Sequence, residues 1–203
     1  DSSVWVVLNG EIYNFRELRK HLENNHKFYT NSDTEVIVHA YEEYGENCVD
    51  HLTGMFSFAI WDRKKKKLFL ARDRLGVKPL FYYFSKGELL FSSEIKSLLQ
   101  LEEIHRELNY EALSQFAIYA YTIDGQTLFK NIHELLPGHK LVYFSDTKKF
   151  TISSYWDLSL YVQNDSEVVI LAKLEKLLKK SIELRLESDA PIGALLSGGL
   201  DSS

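Results

Sequence analysis

The sequence predicts an α+β protein: a four-layer α/β/β/α sandwich with antiparallel sheets over residues 1 to about 145, followed by the beginning of an α/β unit. Three observations carry this reading. Between residues 56 and 91, short apolar runs separated by turns read as four strands, the first alternating large and small side chains at period two. Two earlier segments, 14–24 and 33–45, place apolar residues at helical spacing and so supply helices to cover a sheet face. Near the end, a long helical pattern from Ser166 leads into the apolar run Ile192-Gly193-Ala194-Leu195-Leu196 and then Ser197-Gly198-Gly199, the strand-then-glycine order that a phosphate loop requires.

In order, Val4 to Leu8 are rich in β-branched and aromatic residues and read as a buried strand, which Asn9-Gly10 breaks. On the local pattern Asn-Gly is a hairpin turn. Residues 11–14 supply no returning strand, however, because Phe15, Leu18 and Leu22 take helical spacing. Glycine also lets backbone approach a ligand, and a side-chain amide beside a free N–H can hold a developing oxyanion. Phe28-Tyr29 reads as a short strand. Ser32 or Asp33 then caps the helix marked by Val36, Ile37, Ala40, Tyr41 and Tyr44, with Glu42 and Glu43 on its solvated face, and locally Asp33 is a cap and nothing more. Cys48 lies between Asn47 and Val49; with no neighbouring base it reads as a small buried apolar side chain, not a nucleophile.

Phe56 to Asp62 and Leu68 to Ala71 are strands joined by the charged stretch Arg63–Lys67, whose four lysines read as a solvated turn. Arg72-Asp73-Arg74 brings charges to the edge of a site, and Gly76 and Pro79 bracket a turn. Strands over 80–84 and 89–91 precede a helix at Ile95, Leu98 and Leu99, capped by Ser92-Ser93-Glu94, with Glu94 and Lys96 structural or interdomain in role. A helix over Tyr110–Tyr119 with Asn109 as cap, a Pro137-Gly138 turn and a strand over 141–144 follow. The polar, aromatic-dotted stretch 146–165 reads as a packed linker between a domain over 1–145 and one opening at 166.

Composition excludes several classes. The 203 residues are 45% hydrophobic and 26% charged, ordinary for a globular chain, and the net charge of -5 gives no footprint for nucleic acid. No apolar run of about 20 residues is long enough to span a bilayer, and neither a signal nor a transit peptide is visible. One cysteine cannot form an internal disulfide, which suits a reducing cytoplasm. The seven histidines show no His-x-x-x-His spacing with a glutamate between, so a transition-metal site is not expected; His133 and His139 flank a turn. The chain lacks an initiator methionine and stops inside a phosphate-loop pattern, and it reads as a fragment.

Four stretches occur together and in order: Asn9-Gly10-Glu11-Ile12-Tyr13-Asn14; Ser32-Asp33-Thr34-Glu35; Gly54 to Asp62; and Ala71-Arg72-Asp73-Arg74-Leu75-Gly76-Val77-Lys78-Pro79-Leu80. This series resembles the glutaminase domain of glutamine-dependent asparagine synthetases, and Ser197-Gly198-Gly199-Leu200-Asp201-Ser202-Ser203 resembles the pyrophosphate loop that opens their synthetase domain. The resemblance implies an N-terminal-nucleophile sandwich, incomplete at its N-terminus, followed by the start of an adenine nucleotide α-hydrolase-like domain. It implies that Asn9 and Gly10 form an oxyanion hole, that Gly10 and Glu11 line a glutamine pocket, and that Asp33 holds the glutamine α-ammonium. Leu195 would contact ATP; Ser197, Gly198, Gly199, Asp201 and Ser202 would hold pyrophosphate, with Asp201 on Mg2+. Glutamine, aspartate and ATP are the implied substrates, and a homodimer is the expectation for the full-length enzyme. The nucleophilic N-terminal cysteine of that family is absent from this chain, so the fragment alone is expected to be inactive. A related amidotransferase acting on a sugar or secondary-metabolite carboxylate, and a non-catalytic amino-acid-binding module, are the competing readings.

Overall fold

A computed structural model describes residues 3–160, 165–187 and 191–200, which fall into two compact units, one ending at Leu158 and one starting at Ser159. The first unit begins with β1 (Val4–Ile12), α1 (Phe15–Leu22), α2 (Asp33–Tyr44), a 3-10 turn (Gly45–Asn47) and α3 (Cys48–His51). It continues with β2 (Gly54–Asp62), β3 (Lys67–Arg72), β4 (Phe81–Ser85), β5 (Glu88–Ser92), α4 (Ile95–Leu98) and α5 (Tyr110–Tyr119). β6 (Ile132–Glu134), β7 (His139–Phe144) and β8 (Lys149–Ser154) complete it.

Period-two patterning sorts these strands into layers. A five-stranded sheet has the order β1-β2-β3-β7-β8 and a three-stranded sheet the order β5-β4-β6, with every pairing antiparallel. On β2, Phe56, Phe58 and Ile60 face a core shared with Leu22 of α1, Val36, Ile37, Ala40 and Tyr41 of α2, and Cys48 of α3. Ala59, between them, faces the opposite way and joins Leu70 and Leu141 against Leu80 and, from the second sheet, Tyr82, Leu89 and Phe91. The far face of that second sheet, through Phe81, Tyr83 and Leu90, is covered by Ile95, Leu98 and Ile104. Helices, sheet, sheet, helix: the expected four-layer order is the observed one.

Four details differ from the sequence expectation. β1 does not stop at Leu8 but pairs with β2 through Gly10 (opposite Phe56) to Ile12 (opposite Gly54). Gly10 makes this continuity feasible: its φ is 143°, and a Cβ there would stand 2.0 Å from the Met55 carbonyl oxygen, so only glycine lets the two backbones come this close. Phe28-Tyr29 forms no strand; Phe28 packs edge-on against the His39 ring at 4.5 Å. Lys67 is not part of a solvated turn, since it opens β3, is buried and pairs with Glu46 at 2.7 Å. The stretch expected as linker contains β8, whose Phe150 meets Phe84 of the other sheet at 4.9 Å.

In the second unit α6 (Glu167–Arg185) forms as its periodicity predicts, with no buried residue. Ile192 to Leu196 take no regular structure. A lone strand has no ladder to satisfy its N–H and C=O groups, and among the described residues none pairs with it. No helix among the described residues is long and apolar enough to cross a membrane.

Candidate functional site

β1 delivers two sets of side chains. Val4, Val6, Leu8 and Ile12 pack toward the helical layer, whereas Asn9 alternates to the side of the sheet that faces the second sheet. There a small open cleft of about 130 Å³ is lined by Val7, Asn9, Ser57, Ala59, Phe91, Ser92 and Ser93. Ser57 stands directly opposite Asn9 in the ladder. Its hydroxyl is buried and has no hydrogen-bond partner. An orphaned hydroxyl is costly unless something it can bond occupies the cleft, so Ser57 is a candidate site residue that sequence reasoning passed over. The signal was a lone hydroxyl at a small-residue position of the alternating run Phe-Ser-Phe-Ala-Ile.

Asp33 is held elsewhere on the same strand. Ser32, not Asp33, is the N-cap of α2, accepting the Thr34 N–H at 3.1 Å. That frees Asp33, whose Oδ2 accepts the Ile12 N–H at 3.0 Å while its Oδ1 takes hydroxyls from Thr34 at 3.2 Å and Ser32 at 3.4 Å. The carboxylate therefore sits at the end of β1, about 10 Å along the strand from Asn9 by strand rise. It does not line the cleft around Asn9 and Ser57. Gly10 and the exposed Glu11 lie between the two.

The loop that presents Asp33 is fixed from both sides. Glu35 accepts the Tyr29 and Thr30 N–H groups, both at 2.7 Å, and the Thr30 hydroxyl at 2.6 Å. Burial works against that charge, but these donors more than offset it and hold the Glu35 carboxyl below its ordinary value. Arg19 donates to the Thr30 carbonyl at 2.6 Å and to Asn31 at 3.0 Å. Asn14, last of the first motif, is a stitch: it donates to the His51 carbonyl at 2.9 Å and accepts the Thr53 N–H at 2.8 Å, tying the end of β1 to the start of β2.

The fourth motif is architectural. Asp73, fully buried, accepts four backbone N–H groups, from Phe56 (3.2 Å), Leu75 (3.1 Å), Val77 (3.0 Å) and Lys78 (3.0 Å). Arg72 donates to the carbonyls of Lys78, Leu135 and Gly76 and pairs with Glu134 at 2.7 Å. Arg72 thus ties β3 to β6 of the second sheet, and Asp73 ties the loop after β3 to β2. Cys48 is fully buried, and burial pushes its thiol up to about 12, the opposite of an activated nucleophile. Glu94 and Lys96 pair with each other at the surface at 2.5 Å.

In the second unit Leu195 and Leu200 are almost fully exposed, and Gly198 has φ of 75° with open space around it. Ser197, Gly198 and Gly199 stand in sequence on this exposed segment. Asp201 and Ser202 lie outside the described residues.

Comparison with known proteins agrees with this architecture. A family model described as a glutamine amidotransferase domain matches residues 1–156, and one described as asparagine synthase matches residues 173–203. "Asparagine synthetase [glutamine-hydrolyzing] 3" of Bacillus subtilis is 42% identical over 98% of this chain and 32% of its own length. "Amidase chyE" of Penicillium rubens is 36% identical over all of this chain and 30% of its own length. The chain spans about a third of the length of the curated relatives it matches. Among solved structures, glutamine phosphoribosylpyrophosphate amidotransferase from B. subtilis matches with a TM-score of 0.52 at 20% identity, over 75% of this chain and 29% of its own, a likeness of fold. With residues 1–156 matched and the layered sandwich in common, the chain belongs to the glutamine amidotransferase domain family.

Proposed function

We propose that this chain is the glutamine-hydrolysing part, with the opening of the ATP-dependent part, of an asparagine synthetase. The observation that carries the reading is the succession in one chain of the amidotransferase match over 1–156 and the asparagine synthase match over 173–203. Glutamine and water give glutamate and ammonia. Aspartate and ATP give an aspartyl adenylate and pyrophosphate, and ammonia then displaces AMP to form asparagine.

In this reading Asn9, through its side-chain amide, and Gly10, through its N–H, stabilise the oxyanion at the glutamine amide carbon. Gly10 and Glu11 line the pocket, and Asp33, with acceptor capacity left beyond the Ile12 N–H, takes the substrate α-ammonium in a charge-assisted bond. The nucleophile would be the family's N-terminal cysteine, because Cys48 is buried with its thiol disfavoured as thiolate. In the second unit, the left-handed Gly198 and the open space around it suit a cradle of backbone N–H groups for pyrophosphate. Leu195 would lie against the nucleotide, and Ser197, Gly199 and Ser202 would contact phosphate. Asp201 offers the oxygen ligand that Mg2+ favours. Residues 1–145 together with β8 would form the glutaminase domain, the rest of 146–165 the connection, and 166–203 the start of the synthetase domain. A cytoplasmic homodimer is the working state this reading implies.

The test is an assay of the full-length protein with aspartate, ATP and Mg2+, using glutamine or ammonium as nitrogen donor. Asparagine and AMP formed from both donors support the reading. Glutamate release without asparagine would favour transfer to another carboxylate. Absence of glutamate release would leave an amino-acid-binding module.

A further inference from the structure

The turn after α1 brings His26 against two side chains one turn apart on α2, His39 and Glu42. His26, His39 and Glu42 each offer one ligand atom, and these atoms all lie within 4.8 Å of one another. Glu42 Oε2 stands 3.3 Å from His26 Nδ1 and 2.8 Å from His39 Nδ1, and the two rings are 5.0 Å apart. Both imidazoles turn the same nitrogen inward. Their outward nitrogens face two further carboxylates: His26 Nε2 lies 3.0 Å from Glu43, and His39 Nε2 lies 3.7 Å from Glu35.

We propose that His26, His39 and Glu42 form a binding site for a zinc-class divalent cation, with Glu43 and Glu35 as the carboxylates that orient the histidines. Two imidazole nitrogens and one carboxylate oxygen are a common donor set for Zn2+, the fourth position being left to water. Ligand atoms around a tetrahedral zinc with bonds of about 2.0–2.1 Å are separated by roughly 3.3 Å; Glu42 Oε2 stands at that spacing from His26 Nδ1, while its 2.8 Å approach to His39 Nδ1 is a hydrogen bond that the cation would open. A ligating histidine almost always donates its other N–H to a carboxylate, which is the relation of His26 to Glu43. His39 is the less satisfied of the two rings. Its Nε2 is buried without a hydrogen-bond partner. With a cation on Nδ1 the proton is fixed on Nε2, where it faces Glu35 and a small ring shift closes the bond. The solvated face that carries Glu42 and Glu43 thus also carries a polar cluster built around two histidines, hidden from spacing rules because His26 and His39 come from different elements.

The cation would staple the chain between α1 and α2 onto α2, the helix whose first turn carries Asp33. The inference does not depend on the proposed catalytic activity. The test is titration of the chelator-treated chain with Zn2+, and with Co2+ as a coloured stand-in. Expected are one saturable site, visible Co2+ bands of low coordination number, and a rise in Tm with free Zn2+. His26→Gln and His39→Gln should each abolish the saturable site, and Glu43→Gln should weaken it roughly 10–100-fold. His105→Gln, at an exposed position away from the cluster, should leave it unchanged. His26 lies outside any helix, so its variant tests the site even if α2 tolerates no change at His39; circular dichroism reports the fold of each. No saturable binding, binding undiminished in His26→Gln, or equal loss in His105→Gln would overturn the proposal.

Discussion

Asp33 and Asp73 both accept backbone N–H groups from a strand of the five-stranded sheet, yet they do different work. Asp73 is fully buried and takes four N–H groups from two directions, so both its oxygens are committed to shaping a loop. Asp33 is half-buried and takes one backbone N–H, its other bonds being to hydroxyls of its immediate neighbours. A hydroxyl can rotate to a new partner, whereas a backbone N–H cannot. The count of fixed donors around a carboxylate is what separates a structural acid from one with capacity for a ligand.

The contrast can be broken at several points. The largest effect is expected at the backbone beside the site. Gly10→Ala adds a Cβ against the Met55 carbonyl at a φ of 143°, and strain plus overpacking should cost about 3–6 kcal/mol; urea unfolding measures it, and a cost below about 1 kcal/mol would mean that β1 and β2 part easily.

Asp73→Asn comes next. It turns one oxygen that accepts two N–H groups into an NH2 that faces them, and should cost about 3–5 kcal/mol of stability. Asp33→Asn should differ in kind. Ser32 keeps the helix cap, so stability should change by less than about 1 kcal/mol. In the full-length protein, the loss of one partner of a charge-assisted pair, about 2–5 kcal/mol, should lower kcat/KM for glutamine roughly thirtyfold to several-thousandfold and spare ammonium-dependent activity. Equal loss of stability in the two variants would erase the distinction drawn from donor counts.

Asp62 is an intermediate case. Burial opposes its charge, but the Lys65 N–H at 2.9 Å and the Tyr41 hydroxyl at 3.1 Å bring its carboxyl below the ordinary value. A carboxyl lowered in the folded state adds stability above its unfolded pKa and loses it as pH falls through the folded one. Wild-type stability should therefore drop on acidification through that window, and Asp62→Asn should flatten the drop; an unchanged acid limb would show that Asp62 contributes nothing there. The smallest effect is expected at Ser57→Ala, which removes an unsatisfied hydroxyl and should be neutral or stabilising within about 1 kcal/mol, while lowering glutamine-dependent turnover if the cleft is the reaction site.

Legibility followed locality. The alternation in β2 and the Asn109 cap of α5, which accepts the Ala112 N–H at 3.3 Å, could be read directly because a few adjacent residues decide them. The end of β1 was placed at Leu8 because the conformation that carries Gly10 onward in the strand is set against Met55 across the ladder, a contact no local pattern encodes. β8 was hidden because Lys149 to Ser154 leave most side chains in solvent, so no apolar alternation marks them. Ile192 to Leu196 erred the other way: the apolar run is there, but strand geometry needs a neighbour. At the candidate site, Asn9, Gly10 and Asp33 were named from ordered motifs, while the orphaned hydroxyl of Ser57 could be found only from the register that sets it opposite Asn9.

The burial of Cys48 has a practical consequence for following motion. It is the one cysteine in the chain and lies at 0% exposure in the core between the helical layer and the five-stranded sheet. Thiol reagents attack the exposed thiolate, so a folded molecule should stay unlabelled until α2 and α3 lift from β2. The rate of alkylation under native conditions then reports the free energy of that opening, without any added probe. Followed with and without glutamine or Zn2+, it gives the helical layer its own stopwatch.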